Sequence, residues 1–450
     1  MQPALAAVND AIEANKQIPD ELYFVPRDLA IKAEILAKLG NAKASDELYQ
    51  KSTDLIDALL SKVPTPTVER QLLGQLSEVY AGYFASLSNR GKNAEAFRAI
   101  ERARGRVEAQ ALEDHEPVAP HEPTIAEKAL TNLNLRLLDT DDLGSRQDIL
   151  QTIYDTEQQI NPNFKPDHFS TEPVDLIELQ RDLGPSELML EYVLDEPNSY
   201  VLAITKTTVK RYTLKAKSGL EREAADYRSE VVKQKADDGL AQQLFNDLVK
   251  PVSRYRQVQS IIVVPDGKLH LLPFSALSDG GHYVLTSHLV AVVPSGTVFH
   301  ILRHREQHLA VEPIPYLGVA AWTISKPKKT LFSGILRGAS GPERSELIAL
   351  PESRHEVESI ATDLPKPYTV LLGSAATETQ FKRLPLSQYN VLHLALHGYA
   401  DMEYSDRSAL VFAPEERGPD DGLLQIREIR GLPLKANLVT LSACDTSPTR

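Results

Sequence analysis

Two short aliphatic runs near the end of the chain constrain its fold more than any other feature. Residues 390–396 read Asn-Val-Leu-His-Leu-Ala-Leu and lead into His397-Gly398. Residues 436–443 read Ala-Asn-Leu-Val-Thr-Leu-Ser-Ala and lead into Cys444-Asp445. Both have the length and aliphatic content of strands buried on two faces, the signature of a parallel sheet covered by helices. A histidine and the chain's one cysteine therefore each stand at the carboxyl end of a core strand. In open α/β sheets that edge is where ligands bind.

The first quarter of the chain has a different rhythm. Up to about Ala111 it reads as helix throughout. Ala30, Ala33, Ile35, Leu36 and Leu39 recur at helical spacing and stop at Gly40-Asn41, where Gly40 is expected to cap the helix in the left-handed region. Leu48, Leu55, Ile56, Leu59 and Leu60 mark a second helix ending at Pro64, and Leu72, Leu76, Tyr80, Tyr83 and Phe84 a third. Ala94, Phe97, Ile100, Ala103 and Val107 mark a fourth, with Gly91 placed before it as Gly40 is before the second. The three prolines and the acids of residues 113–123 predict a solvated linker, in which His115 and His121 lie with no cysteine near. Residues 125–138 and 145–160 predict two connecting helices. Pro162, Pro166 and Pro173 then mark an irregular crossing into the next domain.

From about Glu187 short strands take over. Residues 188–194, 200–205 and 208–212 predict an antiparallel meander, followed by helices over 220–233 and 240–248. Further strands are expected at 260–264, 316–320, 368–372, 391–396, 410–412 and 438–441, with helices at 352–364 and 378–384 between them. That alternation implies a largely parallel sheet with right-handed crossovers. The domain boundaries so read are 1–112 helical, 113–123 linker, 124–186 helical connector and 187–450 α/β.

Composition sets limits on partners. With 42% apolar and 25% charged residues the chain can bury a sizeable core. A net charge of −13 argues against nucleic acid or an anionic membrane as main partner, since phosphate binding needs a clustered positive field. A single cysteine allows no internal disulfide and suits a reducing cytoplasm. Neither a spanning apolar run nor a secretory leader is expected from the sequence. It holds no G-x-S-x-G elbow, no Walker A loop and no G-x-G-x-x-G. His393 and His397 are spaced H-x-x-x-H, but position 394 is Leu where a zinc protease needs Glu, and the run is strand-like; His393 is expected to pack or hydrogen-bond inside the sheet. No cofactor or metal is expected.

The paired strand ends permit a definite chemistry. A free cysteine with pKa near ~8.5 is only a few per cent thiolate at neutral pH, and an adjacent imidazole raises that fraction and can protonate a leaving amine. Gly398 leaves room for a scissile carbonyl, and its N–H with that of Cys444 is well placed for a developing oxyanion, a contact worth roughly 3–4 kcal/mol. Spacing alone does not separate this from a plain core cysteine, which behaves as a small hydrophobe.

More of the chain resembles one family. The run from Val391 to Gly398, Asp421-Gly-Leu-Leu with Glu428-Ile429, and Val439 to Thr446 resemble the CHAT domain, a caspase-like peptidase family related to separases and found joined to tetratricopeptide repeats. So do Ile262 to Gly267, Leu269-His270, Leu272-Pro273-Phe274, Val293-Pro294-Ser295 and Leu350-Pro351 with Glu356-Val357, so that the resemblance covers about 188–446. The turns at Gly40 and Gly91, with the helices after them, are similar to tetratricopeptide units, although 51 residues separate the two glycines against about 34 in a regular array. A plain antiparallel helical bundle is the alternative.

The resemblance implies an N-terminal helical, tetratricopeptide-like repeat domain followed by a caspase-like α/β domain. It implies a bacterial-type cytoplasmic cysteine peptidase with His397 as acid/base and Cys444 as nucleophile, cleaving a protein target while a protein regulator acts through the repeats. In basic-specific relatives an acid lines the first pocket; Asp401, Asp420, Asp421 and Asp445 are candidates, although acids after strands are commonly turn residues. The family continues well past its cysteine, so both chain ends read as cut, and this 450-residue form is expected to be weakly active or inactive. The rival class is a non-catalytic repeat scaffold.

Overall fold

The N-terminal helices are α1 (Gln2–Lys16), α2 (Val25–Lys38), α3 (Ala42–Leu60), α4 (Pro66–Ser88), α5 (Asn93–Glu101) and α6 (Arg106–Glu113). The computed structural model describes the chain apart from residues 18–23, 61–65, 114–124, most of 127–171, 236–237, 305–312, 321–349, 400–407, 414, 416–419 and 443–450. Gly40 (φ +84°) and Gly91 (φ +78°) end α2 and α4 as the sequence predicts. The N–H of Asn41 reaches back to the Leu36 carbonyl and that of Gly40 to Ala37, and Lys92 and Gly91 repeat the pattern on Leu87 and Ser88. One expected helix is two. The stripe from Ala94 to Val107 breaks between Glu101 and Arg106, and the turn lets Arg104 bond Glu191 and the Tyr192 carbonyl.

The expected linker at 113–123 lies, apart from Glu113, outside the described residues, as do most of the two connecting helices and Pro162 and Pro166. From the latter stretch Leu133, Ile149 and Ile153 form a small buried cluster.

Next come α7 (Leu176–Asp182), β1 (Glu187–Val193), β2 (Ser199–Ile204), β3 (Val209–Leu214), α8 (Lys217–Val232), α9 (Asp238–Leu248), β4 (Ser260–Val264), the short pair β5 (Ser278–Asp279) and β6 (His282–Tyr283), β7 (Leu289–Val292) and α10 (Gly296–His304). The main sheet runs β3-β2-β1-β4-β7. The expected meander β1-β2-β3 is antiparallel, and β4 and β7 add in parallel. Alternation along β1 sends Met189, Glu191 and Val193 to one face and Leu188, Leu190 and Tyr192 to the other. Met189 and Val193 pack with Phe84, Phe97 and Ile100 of the helices; Leu190 and Tyr192 pack with Leu220, Phe245 and Leu248 of α8 and α9. Both faces are covered, hence the nearly unbroken apolar run.

The remaining elements are β8 (Ile314–Ala320), α11 (Pro351–Asp363), β9 (Tyr368–Leu371), α12 (Glu378–Arg383), β10 (Tyr389–Ala395), β11 (His397–Tyr399), β12 (Ala409–Val411), β13 (Leu423–Gln425), α13 (Ile426–Ile429) and β14 (Leu438–Leu441). A second sheet runs β14-β10-β8-β9, parallel throughout. Tyr316, Ala320 and Ala395 pack on Val357 and Ala361 of α11; Leu317, Val319, Leu392 and Leu394 pack on Phe381, Phe412 and Leu424. The strand expected at 410–412 forms, but it belongs to a separate antiparallel sheet β11-β12-β13. A three-residue apolar run carries no information about which partner it will take.

Compact packing groups residues 1–113 with 166–305, and 114–165 with 306–450. The sequence places a single α/β domain over 187–450; its strands form two principal sheets, one in each unit.

Candidate active site

β10 and β14 are direct neighbours, parallel, with Leu392 opposite Val439, His393 opposite Thr440 and Leu394 opposite Leu441. The Ser442 N–H continues the ladder to the Leu394 carbonyl at 3.0 Å. Parallel partners opposite one another point to the same face. His393, Ala395, Thr440 and Ser442 therefore share the face toward α11.

That face carries a hydrogen-bonded chain of side chains that sequence reasoning did not assemble. Glu356 of α11 takes the Ser442 hydroxyl at 2.6 Å and the His393 Nε2–H at 3.0 Å on one oxygen. His393 Nδ1 in turn accepts from the Tyr316 hydroxyl at 2.8 Å. An ionised carboxylate only accepts, so the network assigns His393 its Nε2–H tautomer. Burial, with the Glu356 charge, pushes the Tyr316 phenol up to about 12, which keeps its proton in place for that bond. His393 is only 2% exposed, so the expectation that it hydrogen-bonds inside the sheet holds. The signal for its partners was weak: a Tyr, a Glu and a Ser far apart in sequence, joined only by strand register.

His397 opens β11, opposite Val411, one residue after the chain leaves the parallel sheet at Leu396. Gly398 follows it, opposite Leu410. His397 is 7% exposed, and burial holds its imidazole below the usual histidine pKa. No described residue hydrogen-bonds its ring. Cys444, Asp445 and Asp401 lie outside the described residues.

Asp420 and Asp421 are described, and both are engaged. Asp420 accepts from the Thr379 hydroxyl at 2.7 Å and from Lys382 at 2.8 Å. Asp421 accepts from the Leu423 N–H at 2.9 Å. Lys382 also lies 2.6 Å from Glu378 and 2.9 Å from Glu428. Burial works against its charge, but those three carboxylates outweigh burial and hold the ammonium above the ordinary lysine value. Glu378, Asp420 and Glu428 converge as metal ligands would, with the Lys382 ammonium already serving as their cation.

A concavity of about 760 Å³ lies where β1, β4 and β7 end. Asp195, pushed up to about 6 by burial, and His270, pushed down by burial and then by Arg104, both line it. Arg104 there is spent on structure, bonded to Glu191 at 3.1 Å and paired with Asp266 at 3.2 Å.

A helical N-terminal region followed by two covered sheets, one of them parallel throughout, defines a helical-plus-α/β protein. Residues 238–450 match the family described as CHAT domain, so this part of the chain is a CHAT domain. The match begins at α9, later than the 188 at which the sequence resemblance begins. No curated protein matches the chain.

Proposed function

We propose that this chain is a cysteine endopeptidase of the caspase and separase type. The observation that carries the reading is the register of β10 on β14: Leu394 lies opposite Leu441, and His397 and Cys444 each follow three residues later in their own segment. Parallel neighbours bring both segments to the carboxyl-terminal edge of one sheet, the edge at which open α/β sheets bind ligands.

In this reading the His397 imidazole, kept neutral by burial, takes the Cys444 proton. The sulfur attacks the scissile carbonyl carbon, a C–S bond forms, and the N–H groups of Gly398 and Cys444 receive the oxyanion. The C–N bond then breaks as the imidazolium returns its proton to the departing amine, and water hydrolyses the thioester. Glu356 and Ser442, bonded to each other, fasten the end of β14 to α11 just before Cys444. Cleavage after Arg or Lys, with Asp401, Asp421 or Asp445 in the first pocket, belongs to the same proposal; Asp420, held by Lys382 and Thr379, is the weakest of the four. Control of cleavage by a protein bound to the helical region completes it.

The test is a peptide library and a thiol-directed peptide probe applied to the wild-type chain and to Cys444→Ala and His397→Ala. Each variant should lose cleavage or labelling by about 10²-fold or more. Labelling of Cys444 at the same rate in His397→Ala would overturn the dyad, and preference for an acidic or apolar residue would overturn the basic pocket.

A further inference from the structure

Helix α10 carries His300 and His304 four residues apart, so both rings stand on one face, with centroids 4.3 Å apart. Asp182, the last residue of α7, faces them. Its Oδ2 is 2.7 Å from His300 Nδ1 and its Oδ1 is 3.4 Å from His304 Nε2. The three residues can each present one ligand atom within 4.8 Å of the others. The Asp182 side chain is 7% exposed, the His300 side chain 29% and the His304 side chain 59%, so the group is anchored at its base and open at its top.

The hydrogen bonds fix which atoms are available. His304 Nδ1 lies 3.0 Å from the His300 carbonyl, which can only accept, so this nitrogen carries a proton. In the neutral ring Nε2 then carries the lone pair, and it lies 3.4 Å from a carboxylate oxygen. A cation shared by two such acceptors, a proton or a metal ion, removes their mutual repulsion. A charge-assisted N–H···O bond is shorter, about 2.7–2.9 Å. Two donor atoms of one tetrahedral zinc, each about 2.0–2.2 Å from the ion, stand roughly 3.3–3.5 Å apart. A backbone carbonyl on the other ring nitrogen is also the usual outer partner of a metal-bound histidine. His300 Nδ1 joins by giving up its hydrogen bond to Asp182, a shift of roughly 0.6 Å on the same scale. The one cation on this stretch of α10, Arg303, is paired with Glu187 at 2.5 Å, so it does not oppose a bound ion.

We infer that Asp182, His300 and His304 form a binding site for one divalent transition-metal ion, which ties α7 to α10. Two imidazoles and a carboxylate suit zinc, cobalt or nickel, and exclude calcium and magnesium, which take oxygen ligands. Three protein ligands leave a fourth position to water. The site is independent of the peptidase reading.

The test uses the full chain stripped with chelator, titrated with zinc against a chromophoric competitor and with cobalt followed by its visible absorption. One equivalent should bind at micromolar or lower concentration and raise the melting temperature, and the cobalt spectrum should be that of nitrogen and oxygen ligands. His304→Ala removes the most exposed ligand and should leave the metal-free melting curve in place while weakening binding at least about tenfold, as should Asp182→Asn. Cys444→Ala should bind as the wild type does. Absence of binding at micromolar metal, undiminished binding in His304→Ala, or a thiolate band lost in Cys444→Ala would each overturn the site.

Discussion

His397 sits where burial disfavours its charged form. Its ring is held neutral by desolvation, so its folded pKa lies below the ordinary 6.5. Between that lowered value and 6.5 the unfolded chain binds more protons than the folded one. The stability contributed by the neutral buried ring is therefore complete above 6.5 and declines as pH falls from there through the folded value. A ring-proton NMR titration should give His397 a pKa below 6.5, and His397→Phe should flatten the acid side of the stability profile. A measured value at or above 6.5 in the folded chain would show a countercharge at this ring. His393, four residues earlier, is handled in the opposite way: three polar partners satisfy it directly or through Glu356.

At the scale of elements, the close approach of α11 to the parallel sheet depends on Gly318. It lies opposite His393 in β8, and a Cβ there would stand 2.4 Å from Val357 of α11 and 2.7 Å from the Tyr316 ring. Neither neighbour is the loose end of a flexible chain, so the helix must lift. Gly318→Ala should cost about 1–3 kcal/mol in urea denaturation. It should also carry Glu356 away from His393 and Ser442, which a change in His393 ring-proton shifts would report. An unchanged spectrum with unchanged stability would show that α11 does not rest on β8.

The longer strands are legible: the runs at 260–264 and 438–441 coincide with β4 and β14, and the other expected runs differ by a residue or two at their ends, while β7 and the short β5, β6, β11 and β13 have no counterpart in the sequence reading. Period and apolar content suffice for that. Partnership is legible for the β1-β2-β3 meander and for β10 beside β14, and elsewhere it is not, because strand pairing is decided by contacts across the whole chain. That is why 410–412 reads as part of the parallel sheet, and why Tyr316, Glu356 and Ser442 do not read as one group from the sequence. The break between α5 and α6 was missed because the apolar stripe continues in phase across it, while Arg104 turns inward toward Glu191. One signal was present and unused: His300-Ile-Leu-Arg-His304 has the helical spacing of paired ligands, but its third member is 118 residues away.

For the molecule as a whole, the helical region is no detachable antenna. Phe84, Phe97 and Ile100 share one core with Met189, Val193, Leu202 and Ile262 of the sheet. Glu101 of α5, fully buried, accepts from the Gly296 N–H at 2.8 Å and from the Thr297 N–H at 2.6 Å at the start of α10. Burial pushes this carboxyl up, against the pull of its bonds to Thr297 and Gly296. A chain beginning at residue 166 would bare that apolar sheet face to water. It should aggregate or melt without cooperativity, measured by light scattering and calorimetry, whereas a soluble, cooperatively melting fragment would show the helices to be dispensable. Loss of a measured activity on deleting the N-terminal helices would thus say nothing about regulation. Substitutions at exposed positions of α2 and α3, such as Ile31 and Glu47, are the sounder probe of a partner.

The two carboxylates that hold α10, Glu101 of α5 and Asp182 of α7, have a joint consequence. Glu101 grips its first turn and Asp182 reaches the histidines of its last, so the helix is bolted front and rear to α5 and α7. A rod held so can pivot about either fastening when the other lets go, but it travels as a whole only when both release, so lengthwise displacement of this helix is opposed by the two contacts jointly.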